Sequence, residues 1–353
     1  MGICGVMPLI GGLLGDLALG TRLTSIIGGF IQALGCFIIA FPGAVTMYIG
    51  LFVIAFGSGL YAPNISSMLS FAYADRKSKF DAGVMIFYVC INIGAFIAPL
   101  FIGFIGEQFS YRIGFIVAGG IMLGAQLILI LSGNMLKDIP MTPNIQTTIN
   151  NRNTSKVPSA LVIISVFFFI ALFWRMYDIG ITSAYYDRIP DIENSFPNFL
   201  HLTESISGFI LIPTGILLAV LFTFVDISSL LKMFIGSAIF LLSVFILGAA
   251  SSAAINNFYI VLIIGGIILQ TLAEILIAPI ALSVICKYGS PKFNATLLGG
   301  FLTFTSLMSS ASIFLFDFVH SVSGFLVILV PACMTLLMAG VYLTFYLIDR
   351  KTE

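Results

Sequence analysis

Apolar runs of about twenty residues recur along this chain with little between them, and each is long enough to cross the hydrocarbon of a bilayer as a helix. Eleven can be read, near 2–18, 23–41, 46–71, 80–106, 111–132, 158–187, 204–225, 230–251, 256–287, 293–318 and 323–348. Of 353 residues, 59% are hydrophobic and only 8% charged, whereas a soluble domain carries about 25% charged residues. No soluble fold of this length hides so much apolar surface. In lipid a spanning segment must satisfy its own backbone polar groups, so the expectation is an all-α membrane protein of about eleven transmembrane helices.

Most connections are short, which makes neighbouring spans antiparallel. One is long and polar: SGNMLKDIPMTPNIQTTINNRNTSK, 132–156, rich in Asn and Thr and carrying two prolines. It divides the chain into an N-terminal bundle of five spans (1–132), a linker (133–157) and a C-terminal bundle of six spans (158–353). The basic residues agree with this layout. Arg22, Arg76, Lys77, Lys79, Lys137, Arg152, Lys156, Lys232, Lys287, Lys292, Arg350 and Lys351 all fall on one side, twelve of the fifteen Lys and Arg. The other side's loops hold Arg112 and Arg188. The positive-inside rule makes the basic side cytoplasmic, with the C-terminus there and the N-terminus outside. The first residues, MGICGVMPLIGGLLGD, have no basic leader region, so no signal peptide is expected.

Several function classes are excluded by composition. Formal net charge is zero, which gives no basic face for nucleic acid. The five cysteines, Cys4, Cys36, Cys90, Cys286 and Cys333, sit singly in apolar runs with no C-x-x-C, and are expected to be small core side chains. His201 and His320 fall in loops on the far side, where surface histidines are ordinary. Neither a histidine/acid metal spacing nor a G-x-S-x-G turn occurs, so no metal, no cofactor and no enzyme activity are expected.

Polar residues inside the apolar runs carry the chemistry. GSGLYAPNISS, 57–67, places two glycines, a proline, an asparagine and three serines within a span. The glycines would let helices approach closely, and Pro63 would interrupt the backbone ladder. Glu274 is an unpaired carboxylate in the middle of IIGGIILQTLAEILIAPIAL, and an intramembrane acid is a functional candidate by default. Arg175 and Asp178, three residues apart, can pair along one helix face. Asp16 and Arg22 are six apart in the turn GDLALGTR, as are Asp226 and Lys232 in VDISSLLK, a weak echo between the two halves.

GGLLGDLALGTR (11–22) resembles the turn between the second and third helices of major facilitator transporters. GSGLYAPNISSML (57–69), IFYVCINIGAFIAPL (86–100) and LAEILIAPIALSVICKYGSPKF (272–293) resemble signature stretches of the proton-coupled oligopeptide transporter family, and FWRMYD (173–178) with YYDR (185–188) resembles its seventh helix. They occur in the family's order. The resemblance implies a two-bundle transporter with alternating access that imports di- and tripeptides by proton symport, as a plasma-membrane monomer with no cofactor beyond the proton gradient. It implies that Glu274 stands near the peptide amino group, that Asn92, Trp174, Tyr88 and Phe301 belong to the substrate site, and that Asp178 takes part in proton coupling with Glu274. Asp16 and Arg22 are then gating residues that stabilise one state by charge pairing at a helix end.

The chain also departs from the family pattern. The first-helix E-x-x-E-R motif has no counterpart in these residues. Ala62 stands before Pro63 where the family has lysine, and Ala278 where a serine is common. Losing both members of one charge pair strands no buried charge, and Arg175 is a candidate substitute. Lysine restored at Ala62 is then expected to harm insertion or yield rather than raise uptake. Three readings stay open: a proton-coupled peptide transporter, a relative with altered cargo such as nitrate or another small solute, and a transport-deficient remnant or sensor.

Overall fold

The computed structural model of the chain describes residues 5–73, 76–134, 136, 157–185, 188–196, 199–322 and 326–350. Twelve α-helices follow one another: α1 (Met7–Leu14), α2 (Thr21–Ile39), α3 (Ala44–Ala72), α4 (Phe80–Gln108), α5 (Tyr111–Leu131), α6 (Ser159–Tyr185), α7 (Ile189–Ser195), α8 (Phe199–Phe224), α9 (Ser229–Ser252), α10 (Asn257–Tyr288), α11 (Asn294–Val322) and α12 (Leu326–Arg350). Among the described residues nine helices are long and apolar enough to cross a membrane. The first expected run is shorter, α1 continued by a π-helical turn, Gly15–Leu19. The seven-residue α7 falls where a loop was read. Most of the polar linker, 137–156, lies outside the described residues.

Local chemistry explains the breaks. Gly20 and Gly43 adopt φ of 83° and 139° at the starts of α2 and α3, backbone that residues with a Cβ rarely enter. Ser110 accepts from the backbone N–H of Ile113 and Ser228 from that of Leu231, capping α5 and α9. Large apolar side chains stand exposed along the helices, Leu131 at 80% and Phe224 at 82%. In water such faces would aggregate, but against lipid tails they are the expected outer surface.

The chain forms two compact units. One comprises residues 1–77, 94–153 and 285–307, the other 78–93, 154–284 and 308–353. In the first, α1 packs on α3 and on the start of α11 through glycines. A Cβ on Gly11 would lie 2.1 Å from the carbonyl oxygen of Gly59, and one on Gly12 2.2 Å from that of Ala295. Pro63 has no N–H to donate to the carbonyl of Gly59 four residues earlier, and that oxygen faces Gly11 instead. Asn64 donates to the Gly11 carbonyl at 2.8 Å, so the polar residues of GSGLYAPNISS join α3 to α1. In the second unit the interior includes Phe173, whose ring meets that of Phe240 at 4.7 Å and a tilt of 59°, and a cluster of Leu247, Tyr259, Ile263 and Ile267 onto which α7 inserts Ile192.

Candidate functional site

Glu274 is the eighteenth residue of α10, far from either end, and only 7% exposed. A charged group at that depth is costly unless neighbours donate to it. The Tyr88 hydroxyl donates to its Oε1 at 2.6 Å, and the Tyr177 hydroxyl is a second hydrogen-bond partner. Tyr88 comes from the first part of α4, Tyr177 from α6. Three helices of one unit therefore converge on a single carboxylate whose described donors are neutral hydroxyls.

The surrounding shell is ordered by hydrogen bonds and rings. Asn92, one turn beyond Tyr88, donates from Nδ2 to the Tyr88 carbonyl at 2.9 Å, and its side chain also hydrogen-bonds to the Tyr88 side chain. The network thus runs Asn92, Tyr88, Glu274. Gln270, one turn before Glu274, donates from Nε2 to the Tyr177 carbonyl at 2.8 Å, and its buried Oε1 has no partner among the described residues. The carbonyl fixes which end of that amide is nitrogen. Trp174 lies 5.5 Å from Phe173 and 5.7 Å from Tyr177, ring centroid to centroid. Arg175 and Asp178 form an ion pair at 2.9 Å, with side chains 17% and 55% exposed.

Tyr88, Asn92, Trp174, Arg175, Asp178 and Glu274 all belong to this unit. Phe301, also expected at the site, is buried (6% exposed) in the other unit. Asp16 lies in that other unit too. Its carboxylate accepts from the backbone N–H of Ala295 at 3.3 Å and of Thr296 at 2.7 Å, and from the Thr296 hydroxyl at 2.8 Å. Those are first-turn groups of α11, where a negative charge meets unpaired N–H groups and the positive end of the helix dipole. Arg22 is buried beside Gly133, its Nε without a partner among the described residues. Ala62 is half-buried in α3 and Ala278 buried in α10. The side chains of His201 and His320 lie outside the described residues.

Sequence reasoning passed over Tyr177 and Gln270, although both lie at or beside the quoted motifs; helical spacing from Trp174 and Glu274 was the available signal. It also passed over a buried knot of polar groups near the ends of α4, α9 and α10. Asp81 (2% exposed) accepts from Lys232 Nζ at 2.5 Å, from Ser229 at 2.9 Å, and from Ser283. Lys232 also sits 4.1 Å over the ring of Phe222. The partner of Lys232 is thus 151 residues away in sequence, a relation no spacing reveals.

Comparison with known proteins adds the family context. Residues 22–155 match the family model described as PTR2, POT family. A stretch of 118 residues, 33% of this chain, is 36% identical to an uncharacterized transporter of Bacillus subtilis (strain 168), YclF, and covers 24% of it. Another of 111 residues, 31% of this chain, is 36% identical to a di-/tripeptide transporter of Lactococcus lactis subsp. lactis (strain IL1403), covering 22% of it. These matches span less than a quarter of the curated relatives' length. Among solved structures, a POT family transporter in complex with a thioalcohol-conjugated peptide matches 98% of this chain and 86% of its own, with TM-score 0.62 and 17% identity. A peptide transporter POT in complex with sulfate matches 99% and 85%, with TM-score 0.57 and 19% identity. At such identity these likenesses carry the fold alone, an all-α fold of membrane-spanning helices.

Proposed function

We propose that the chain is a member of the POT family, whose model matches residues 22–155, and that it is a secondary active transporter that imports di- and tripeptides across the plasma membrane by proton symport with alternating access. The observation that carries this reading is the Glu274 carboxylate, buried midway along α10 and met by the hydroxyls of Tyr88 and Tyr177. Hydroxyl donors solvate the charge without cancelling it. A peptide's α-ammonium, or a proton, supplies the cancelling charge.

The other assignments follow from this one. Asn92 and Tyr88 hold the approach to Glu274, and Trp174 offers an aromatic wall. Asp178, paired with Arg175, exchanges protons with water at its exposed edge and works with Glu274 in coupling. Asp16 and Arg22 are gating residues, Asp16 by engaging the start of α11. The proton gradient is the driving force with no further cofactor, the transporter works as a monomer, and its C-terminus is cytoplasmic. The family and its named relatives are transporters, not enzymes.

The nitrate or small-anion alternative drew on Arg175. Its guanidinium is already engaged by Asp178, so the cation that would attract an anion is spent, and the amine-bearing cargo is favoured. Counterflow in proteoliposomes separates the two. Vesicles preloaded with Ala-Ala should accumulate labelled Ala-Ala, with no competition from millimolar nitrate. Competition by nitrate at equal strength would overturn the peptide assignment.

A further inference from the structure

The first turns of α4 are tied to α10 twice. Tyr88 bonds Glu274 deep in the helices, and Asp81 bonds Ser283 nearer their ends. Asp81 and Tyr88 are seven residues apart, two turns on one face, and Glu274 and Ser283 nine apart. The two contacts are therefore about 10–14 Å apart along the helices at 1.5 Å per residue. Their order is that of antiparallel neighbours, with Asp81 and Ser283 both toward the end rich in basic residues. The outer tie is reinforced by Lys232 and Ser229 of α9, and its ion pair is almost wholly withdrawn from solvent, 4% and 3% exposed.

We infer that the Asp81–Lys232 knot is a latch coupled to the site through α4, so that a ligand drawing Glu274 away from Tyr88 loosens one tie and leaves the knot as the other. This rests on reading Glu274 as the substrate's contact. A buried ion pair adds little net stability over a well-packed apolar pair of like volume, yet it is costly to leave half-made. Such a pair has two sharply distinct arrangements, made and broken, which is what a switching element requires. Coupling is reciprocal by thermodynamic necessity: if filling the site weakens the knot, breaking the knot changes affinity at the site.

The test uses the full chain in liposomes with a cysteine at Ala82, a buried neighbour of Asp81 (3% exposed). Reaction with a membrane-impermeant maleimide reads opening, against the chain without that cysteine. Lys232→Met should label at least about tenfold faster and Tyr88→Phe about threefold faster, as expected if each removes one tie. The exchanged pair, Asp81→Lys with Lys232→Asp, should return the rate toward that of the parent. Labelling within about twofold of the parent in both Lys232→Met and Tyr88→Phe, with melting temperatures showing folded protein, would overturn the latch. Should Lys232→Met fail to fold, Tyr88→Phe alone decides, since it leaves the knot's groups in place. Saturating Ala-Ala should also speed labelling of the parent. If vesicles neither take up Ala-Ala nor respond to it, the peptide reading fails, while the two variants still decide the latch.

Discussion

Glu274 has no cationic partner among its described hydrogen bonds, only hydroxyls from two other helices. Replacing it by glutamine keeps the shape and removes the charge. The expected result is a protein that folds and no longer accumulates Ala-Ala. Loss of one partner of a buried charge pair is worth roughly 2–5 kcal/mol, enough to abolish measurable uptake while melting changes little. A Glu274→Gln protein that transports at the parent's rate would remove the carboxylate from the substrate site. Gly11 makes a different demand, since any side chain there meets the Gly59 carbonyl at 2.1 Å. Gly11→Ala forces α1 and α3 apart, and overpacking of this kind costs about 1–3 kcal/mol. A lower melting temperature in detergent is the expected reading, whereas an unchanged one would contradict the close approach.

At the scale of elements, hydropathy alone placed ten of the long helices within a few residues, because lipid leaves a spanning segment no alternative to helix. The run 230–251 became α9 at Ser229–Ser252, and 256–287 became α10 at Asn257–Tyr288. It did not place α7. Seven residues with one buried apolar side chain among those described, Ile192, make no periodic signal. Nor did it place Asp81, which reads as part of the charged stretch ADRKSKFD yet is 2% exposed. A single charge disappears in an averaged window, and its partner is 151 residues distant. Glu274 was legible because it stood alone among apolar residues, but its tyrosine donors could be read only once three helices were placed together. Asp16 shows the same limit. Charge pairing at a helix end was expected of it, but the end it meets is the first turn of α11, 280 residues away in sequence. Asp16→Ala should remove those bonds and destabilise by about 0.5–2 kcal/mol, the usual worth of a helix cap. The comparison is melting of the variant against the parent. An unchanged melting temperature would mean that water replaces the carboxylate at no cost.

For the whole molecule, the proposed function is proton-driven transport of amine-bearing peptides, resting on a carboxylate buried among hydroxyls. Lipid-facing side chains such as Leu131 and Phe224 make up its outer surface, and the charged groups withdrawn from it sit where helices meet. The most direct measurement is uptake of labelled Ala-Ala into proteoliposomes, with and without an inward proton gradient, beside a Glu274→Ala control. Accumulation that requires the gradient and vanishes in the control is the predicted result. Equal uptake with and without the gradient, or gradient-driven uptake that survives loss of Glu274, would contradict it.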